Sequence, residues 1–151
     1  MDYRELAKIA VEKLKFSYTP YSGFNVAAAL LTESGKVDFG VNIENAAYTP
    51  TVCAERTAFF KAVSEGERHF RAIAVAGCKR TYLDSDEYKK GLLPGYTAPC
   101  GVCRQVMREF CDPSEFDVIL VRSYDDFRVF RLEELLPESF GPENLAGQLM
   151  R

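Results

Sequence analysis

Two short segments, Cys53-Ala54-Glu55 and Pro99-Cys100-Gly101-Val102-Cys103, constrain this chain more than anything else in it. Each reads as the start of a helix. Three thiols can hold a zinc ion and leave its fourth position open to water. A glutamate two residues beyond one of those thiols can then handle the proton of that water without binding the metal. Cys100 and Cys103 are three apart, so at a helix start they face the same way, one turn apart. Cys53 lies far upstream and must come from a different helix. The fold therefore has to bring two helix N-termini to one point, where their partial positive charge favours ionised thiols. Zn–S distances of about 2.3 Å are expected. No fourth cysteine stands at ligand spacing, and the only histidine, His69, falls in a helix-to-strand connection. A structural zinc site normally has four protein ligands, whereas three match a catalytic site with an open position.

Three thiolates and Zn2+ sum to about −1, which makes a bound water less acidic than in a histidine site. Arg56, next to Glu55, can withdraw some of that charge by donating hydrogen bonds to ligand sulfurs. The competing reading of Arg56 is a solvent-facing side chain making a contact one turn along the helix. A Cys-x-x-Cys pair can also serve redox chemistry, but no thioredoxin-like context surrounds this one, and Cys-Ala-Glu would be left without a role. Cys53 taken alone could be a core residue.

The rest of the chain reads as one α/β domain over residues 1–151, with 47% hydrophobic and 27% charged residues. Asp2 is an N-cap candidate, and Leu6, Ile9, Ala10 and Leu14 recur at helical spacing, so a first helix runs to about Phe16. Tyr18–Gly23 is turn-rich. Phe24–Thr32 and the alternating Val37–Ile43 read as strands joined by Glu33-Ser-Gly-Lys36. A second helix opens at Thr51 or Val52 and stops at Gly66. Phe70–Gly77 is an apolar strand of the kind covered on both faces, and residues 78–98 form a long polar loop. Pro99 marks a third helix with Val102, Val106, Met107 and Phe110 on its apolar side. Phe116–Val121 and Phe127–Phe130 are strands, and Leu132–Leu136 is a short helix ended by Pro137. This order predicts a three-layer α/β/α sandwich around a mixed sheet.

Lys and Arg number 19 against 22 Asp and Glu, a net charge of −3, which argues against a protein that works by neutralising phosphates. The N-terminal segment lacks an apolar core, so no secretory signal is expected, and no apolar run is long enough to span a membrane. A cytoplasmic, reducing setting follows, in which five cysteines serve as metal ligands or thiols rather than disulfides. Three go to the proposed site. Cys111 reads as a core residue, and Cys78 has no assigned role.

The joint pattern Cys-Ala-Glu-Arg-Thr-Ala and Pro-Cys-Gly-Val-Cys-Arg-Gln resembles the short, homotetrameric class of cytidine deaminases. The resemblance covers nearly the whole chain. It includes Tyr18-Thr-Pro-Tyr-Ser-Gly-Phe24-Asn-Val, Gly40-Val-Asn-Ile-Glu-Asn-Ala-Ala-Tyr48 and Glu134–Leu145. It implies a five-stranded mixed sheet, one Zn2+ per subunit held by Cys53, Cys100 and Cys103, and Glu55 as the proton shuttle. It also implies a small nucleoside substrate, cytidine or 2′-deoxycytidine, in pyrimidine salvage. Asn42 and Glu44, two apart on an extended segment, point to one side, and the resemblance assigns the pair to the ribose 3′-OH. Phe24, a core residue by pattern alone, matches the ring beside the pyrimidine. Backbone around Ala54 is expected to hold that ring. Tyr48 matches a tyrosine near subunit contacts. Phe140 matches a phenylalanine contributed by a neighbouring subunit, although locally it reads as a core plug. Arg104 and Gln105 follow the motif without an assigned role. The stretch from Gly77 to Ala98 is longer than is usual for this class.

Three rivals are weighed against this reading. A polynucleotide-editing deaminase needs a basic groove and room for flanking nucleotides, which a bound 3′-OH would deny it. An antibiotic-nucleoside deaminase fits poorly with the intact Phe24, Asn42 and Glu44 set. A noncatalytic zinc-stabilised module leaves Glu55 beside an open metal position unexplained.

Overall fold

The computed structural model describes residues 1–146; residues 147–151, the tail of the expected domain, lie outside the described residues. Helix α1 spans Tyr3–Lys13, and Asp2 caps it by accepting a hydrogen bond from the Arg4 backbone N–H at 3.0 Å. A 3-10 turn, Leu14–Phe16, follows. The strands are β1 (Phe24–Thr32), β2 (Val37–Val41), β3 (Phe70–Lys79), β4 (Asp117–Ser123) and β5 (Asp126–Arg131). They form one five-stranded sheet in the order β2-β1-β3-β4-β5. Only β3 and β4 pair in parallel, with Ile73 opposite Val118, and the other neighbours are antiparallel. The sheet is mixed, as expected.

Side chains alternate across a strand, so β1 serves two cores. Ala27, Ala29 and Leu31 pack with Leu6 and Ala10 of α1 and with Leu14 of the 3-10 turn. Ala28 and Leu30 pack on the other face with α2 (Ala54–Ser64) and α4 (Gly101–Phe110), where Phe59 and Met107 are fully buried. Helices thus cover both faces. Short helices α3 (Asp86–Lys89), α5 (Leu132–Leu135) and α6 (Glu143–Ala146) complete the described chain.

One glycine sets how closely α2 approaches the sheet. A Cβ at Gly40, in β2, would collide with the Ala54 carbonyl and the Ala58 nitrogen. The missing side chain lets the first turn of α2 lie directly on β2, which fixes the depth of Cys53 and Glu55.

Four sequence expectations shift. Strand β2 ends at Val41 rather than Ile43, because Asn42 joins β1 through its side chain and Ile43 makes isolated bridges to Tyr18 and Val52. That bridge keeps Val52 extended, so α2 begins at Ala54 with Cys53 as its N-cap, not at Thr51 or Val52. The first turn after Pro99 is likewise deferred, and α4 begins at Gly101 with Cys100 as N-cap. The segment 78–98 is less irregular than its polarity suggests. Strand β3 runs on to Lys79, Arg80–Asp84 is a 3-10 turn, and Leu93 is buried in the α1-side core with its N–H bonded to the Arg122 carbonyl at 2.8 Å. Cys78, without a role by sequence, is a buried core residue whose thiol burial pushes up to about 11.

Candidate active site

The N-caps of α2 and α4 are both cysteines, and neither makes a side-chain capping hydrogen bond. Their sulfurs turn toward each other instead. Cys53, Cys100 and Cys103 place all three Sγ atoms within 4.8 Å of one another, and Cys53 Sγ lies 3.8 Å from Cys100 Sγ. Ligands arranged tetrahedrally at the usual Zn–S distance stand about 3.8 Å apart, so the cluster fits zinc. None of the five cysteines forms a disulfide. Among the described residues the donor set is three thiols with no fourth protein ligand in the cluster, which leaves one coordination position for a small molecule.

The electrostatics of the cluster favour ionisation where it begins. A hydrogen bond from the Cys103 thiol, followed by Arg56 and Cys100, holds Cys53 well below the usual thiol range, at about 5, despite its burial. Cys103 moves the opposite way, because it keeps the proton it donates to Cys53 and is itself buried near Glu55. Arg56 Nη2 donates to Cys53 Sγ at 3.3 Å. The solvent-facing reading of Arg56 therefore does not hold: the guanidinium sits against the sulfurs, with its Nε buried and without a protein partner.

Glu55 is 3% exposed, and its Oε1 is buried with no hydrogen-bond partner. Burial, helped by the negative charge at Cys53, raises its carboxyl to about 7. A carboxyl in that range can take and return protons near neutral pH. Ala54 is fully buried between these groups in sequence.

The other expected site residues fall into separate surroundings. Asn42 Oδ1 accepts from the Val26 N–H at 2.9 Å, and its Nδ2 donates to the Phe24 carbonyl at 2.9 Å. Glu44 Oε1 accepts from the Tyr21 and Ser22 N–H groups, both at 3.0 Å, and Oε2 accepts from the Ser22 hydroxyl. Burial pulls the Glu44 carboxyl upward, but these bonds and the charge of Arg80 outweigh it, and the net shift is downward. Glu44 and Tyr48 share a cavity of about 360 Å³ with Tyr21 and Thr51. Tyr48 is 72% exposed, has a left-handed φ of 59°, and meets Tyr21 edge-on at 6.1 Å between ring centroids. Phe24 is 37% exposed, not the core residue its pattern suggests. It lines a different cavity, of about 700 Å³, with Cys78, Tyr82 and Tyr96 of the long 78–98 segment.

Phe140 is 58% exposed, so the local-plug reading fails as well. Its backbone is held against α4, where Gln105 Nε2 donates to the Phe140 carbonyl at 2.9 Å. Arg104, on the same helix, donates to the Pro99 carbonyl just before the helix at 2.8 Å and to the Leu135 carbonyl of α5 at 2.6 Å. Arg104 and Gln105 thus anchor the C-terminal segment to the helix that carries Cys100 and Cys103. Only their place directly after the Cys100/Cys103 pair pointed to them.

Comparison with known proteins agrees with this geometry. The family described as "Cytidine and deoxycytidylate deaminase zinc-binding region" matches residues 1–116. A cytidine deaminase of Sporosarcina psychrophila is 43% identical over 146 residues, covering 97% of this chain and 96% of the relative. One from Halalkalibacterium halodurans is 44% identical, covering 96% and 98%. The crystal structure of cytidine deaminase from Burkholderia pseudomallei superposes with a TM-score of 0.78 at 42% identity, covering 93% of this chain and all of that one (100%). That of the Mycobacterium tuberculosis enzyme gives 0.73 at 32% identity, covering 93% and 98%. Sequence, fold and thiol cluster converge, and the chain belongs to the cytidine and deoxycytidylate deaminase zinc-binding family.

Proposed function

We propose that this chain is a zinc-dependent cytidine deaminase that hydrolyses cytidine and 2′-deoxycytidine to uridine and 2′-deoxyuridine, releasing ammonia, in pyrimidine salvage. The observation that carries the reading is Glu55: a buried carboxyl with an unpartnered oxygen, two residues from one thiol of a three-thiol cluster. Cys53, Cys100 and Cys103 hold the zinc, which when bound supplies an acidified water as nucleophile. Glu55 accepts that water's proton as the oxygen joins C4 of the base. The carboxyl then protonates N3, takes the remaining proton from the new C4 hydroxyl, and delivers it to the amine as the C4–N4 bond breaks and the C4 carbonyl forms. One carboxyl acting first as base and then as acid needs a pKa near the working pH, which its burial supports. Arg56 draws charge from the Cys53 sulfur and offsets the excess negative charge of three thiolates.

The hydrogen-bond inventory around Asn42 and Glu44 supports a hydroxyl ligand. The Asn42 amide has one N–H left after its bond to Phe24, and the Glu44 carboxylate has used three of about four acceptor positions. One donor and one acceptor remain, and a hydroxyl needs one of each. In this reading they bind the ribose 3′-OH, which leaves no space for a 3′-phosphate and disfavours polynucleotides. Phe24 and the backbone at Ala54 flank the pyrimidine. Phe140 reaches the site of a neighbouring subunit, and Tyr48 lies near the subunit contacts, within a homotetramer. The thiol-rich site suits the reducing cytoplasm. Among the described residues, no helix is long and apolar enough to cross a membrane.

Absorbance of cytidine, followed together with released ammonia, tests the proposal. Zinc-loaded protein converts cytidine, a chelator stops the reaction, and zinc restores it. Zinc-loaded protein that leaves cytidine unchanged contradicts the reading.

A further inference from the structure

The exposed ring of Phe140 sits on a backbone that is unusually well secured. Arg108, two turns into α4, is only 6% exposed, and a buried guanidinium is retained only where its partners offset the cost of taking it out of water. Its Nε donates to Ser139 Oγ at 2.8 Å, and its Nη2 pairs with the Glu143 carboxylate. Gly141 lies flat on the same guanidinium, where a Cβ would overlap Cζ and both terminal nitrogens. Both neighbours of Phe140 are therefore fixed by one side chain, and Gln105, three residues earlier on the same helix face, holds the Phe140 carbonyl. The Gly141 N–H adds a bond to Asn144 Oδ1 at 2.8 Å. A planar fork can serve these partners together, whereas a lysine ammonium cannot. The result is a rigid backbone that turns an apolar ring outward. Order of this kind lowers the entropy lost when the ring is received by a partner surface.

We propose that Arg108 is a positioning residue for substrate binding: it fixes the Ser139–Glu143 segment so that Phe140 is presented ready-ordered to the active site of a second copy of this chain. The proposal rests on the reading above in which Phe140 completes a neighbouring subunit's site. Arg108 touches neither substrate nor metal in this account and acts only through the ring.

The test measures cytidine KM and kcat on the zinc-loaded oligomer for Phe140→Ala, Arg108→Lys and Gly141→Ala, alone and with each clamp variant combined with Phe140→Ala. Losing the ring's cover of the base is expected to raise KM roughly tenfold with little change in kcat. Arg108→Lys and Gly141→Ala each raise KM by a similar factor, one by removing the fork and the other by pushing the segment off it. Neither adds to the defect once Phe140 is already alanine, because residues acting through one another are not additive. A merely structural arginine would give the same loss with or without the ring, and that outcome overturns the proposal. An unchanged KM in both clamp variants while Phe140→Ala is impaired also overturns it, and leaves the reading of Phe140 intact. An unchanged KM in Phe140→Ala overturns that reading and the proposal with it. If Arg108→Lys fails to fold, Gly141→Ala carries the same comparison with the arginine still present.

Discussion

At the starts of α2 and α4 the inner groups of the thiol cluster are deeply packed: Ala54 is fully buried, Cys103 is 1% exposed and Glu55 is 3% exposed, while Cys53 is half-buried and Cys100 faces outward. The groups assigned to the nucleoside are built otherwise. Phe24, Tyr48 and Phe140 are all exposed, and Glu44 is secured to a surface turn at Tyr21–Ser22 rather than to the core. The contrast follows from the tasks. A metal cluster needs thiols held at fixed separations and a proton carrier kept from water, and both need rigid helix termini in a packed core. A base must enter and leave, so the surfaces that cover it stay open in one chain. In the proposed oligomer, one chain carries the chemistry and its neighbours close the pocket.

This contrast predicts a graded series of defects. Cys100→Ala strikes the metal half hardest. It should lose bound zinc, lower the thermal midpoint and lose more activity than any other variant, because metal binding is coupled to folding. Metal analysis and thermal unfolding check this, and full zinc occupancy would remove Cys100 from the ligand set. Glu55→Gln should keep zinc and fold while activity falls by ~10²–10⁴-fold, since only the proton shuttle goes. A metal-free Glu55→Gln protein would make Glu55 structural. Changes in the open half should be milder. Glu44→Ala should weaken nucleoside binding by more than ~1 kcal/mol, with a far smaller effect on an analogue lacking the 3′-OH. Equal losses on both compounds would sink the assignment to that hydroxyl. Asn42→Ala should show the same substrate selectivity plus a loss of stability, because Val26 and Phe24 lose backbone partners.

The same division marks what could be read from the residues alone. The metal half was legible, because thiols at that spacing have few other uses and their helix starts carry local signals. Strand β1 was legible to the residue, bounded by Gly23 and by the Glu33-Ser-Gly turn. What stayed hidden depends on partners distant in sequence. Val52 pairs with Ile43, which delays α2 by two or three residues, and nothing local announces that bridge. The polar composition of 78–98 masked Leu93, whose buried side chain lies far along the chain from the other buried residue of the segment, Cys78. Arg104, Gln105 and Arg108 read as polar residues of an amphipathic helix, yet they bond to groups 31 to 35 positions onward, beyond any periodicity. Helix α6 was not foreseen, since Gly141-Pro142 reads as the end of structure rather than a start.

The claim that one subunit performs the chemistry while another closes the site is tested most directly by mixing two damaged chains. Glu55→Ala keeps the ring of Phe140 but loses the shuttle, and Phe140→Ala keeps the shuttle but loses the ring. Unfolded and refolded together with zinc, they should form mixed oligomers in which some sites pair an intact Glu55 with an intact Phe140. Cytidine turnover at low substrate should then exceed that of either variant refolded alone. Oligomers verified as mixed that show no such gain would place Phe140 in its own subunit's site or outside any site, and would contradict the account.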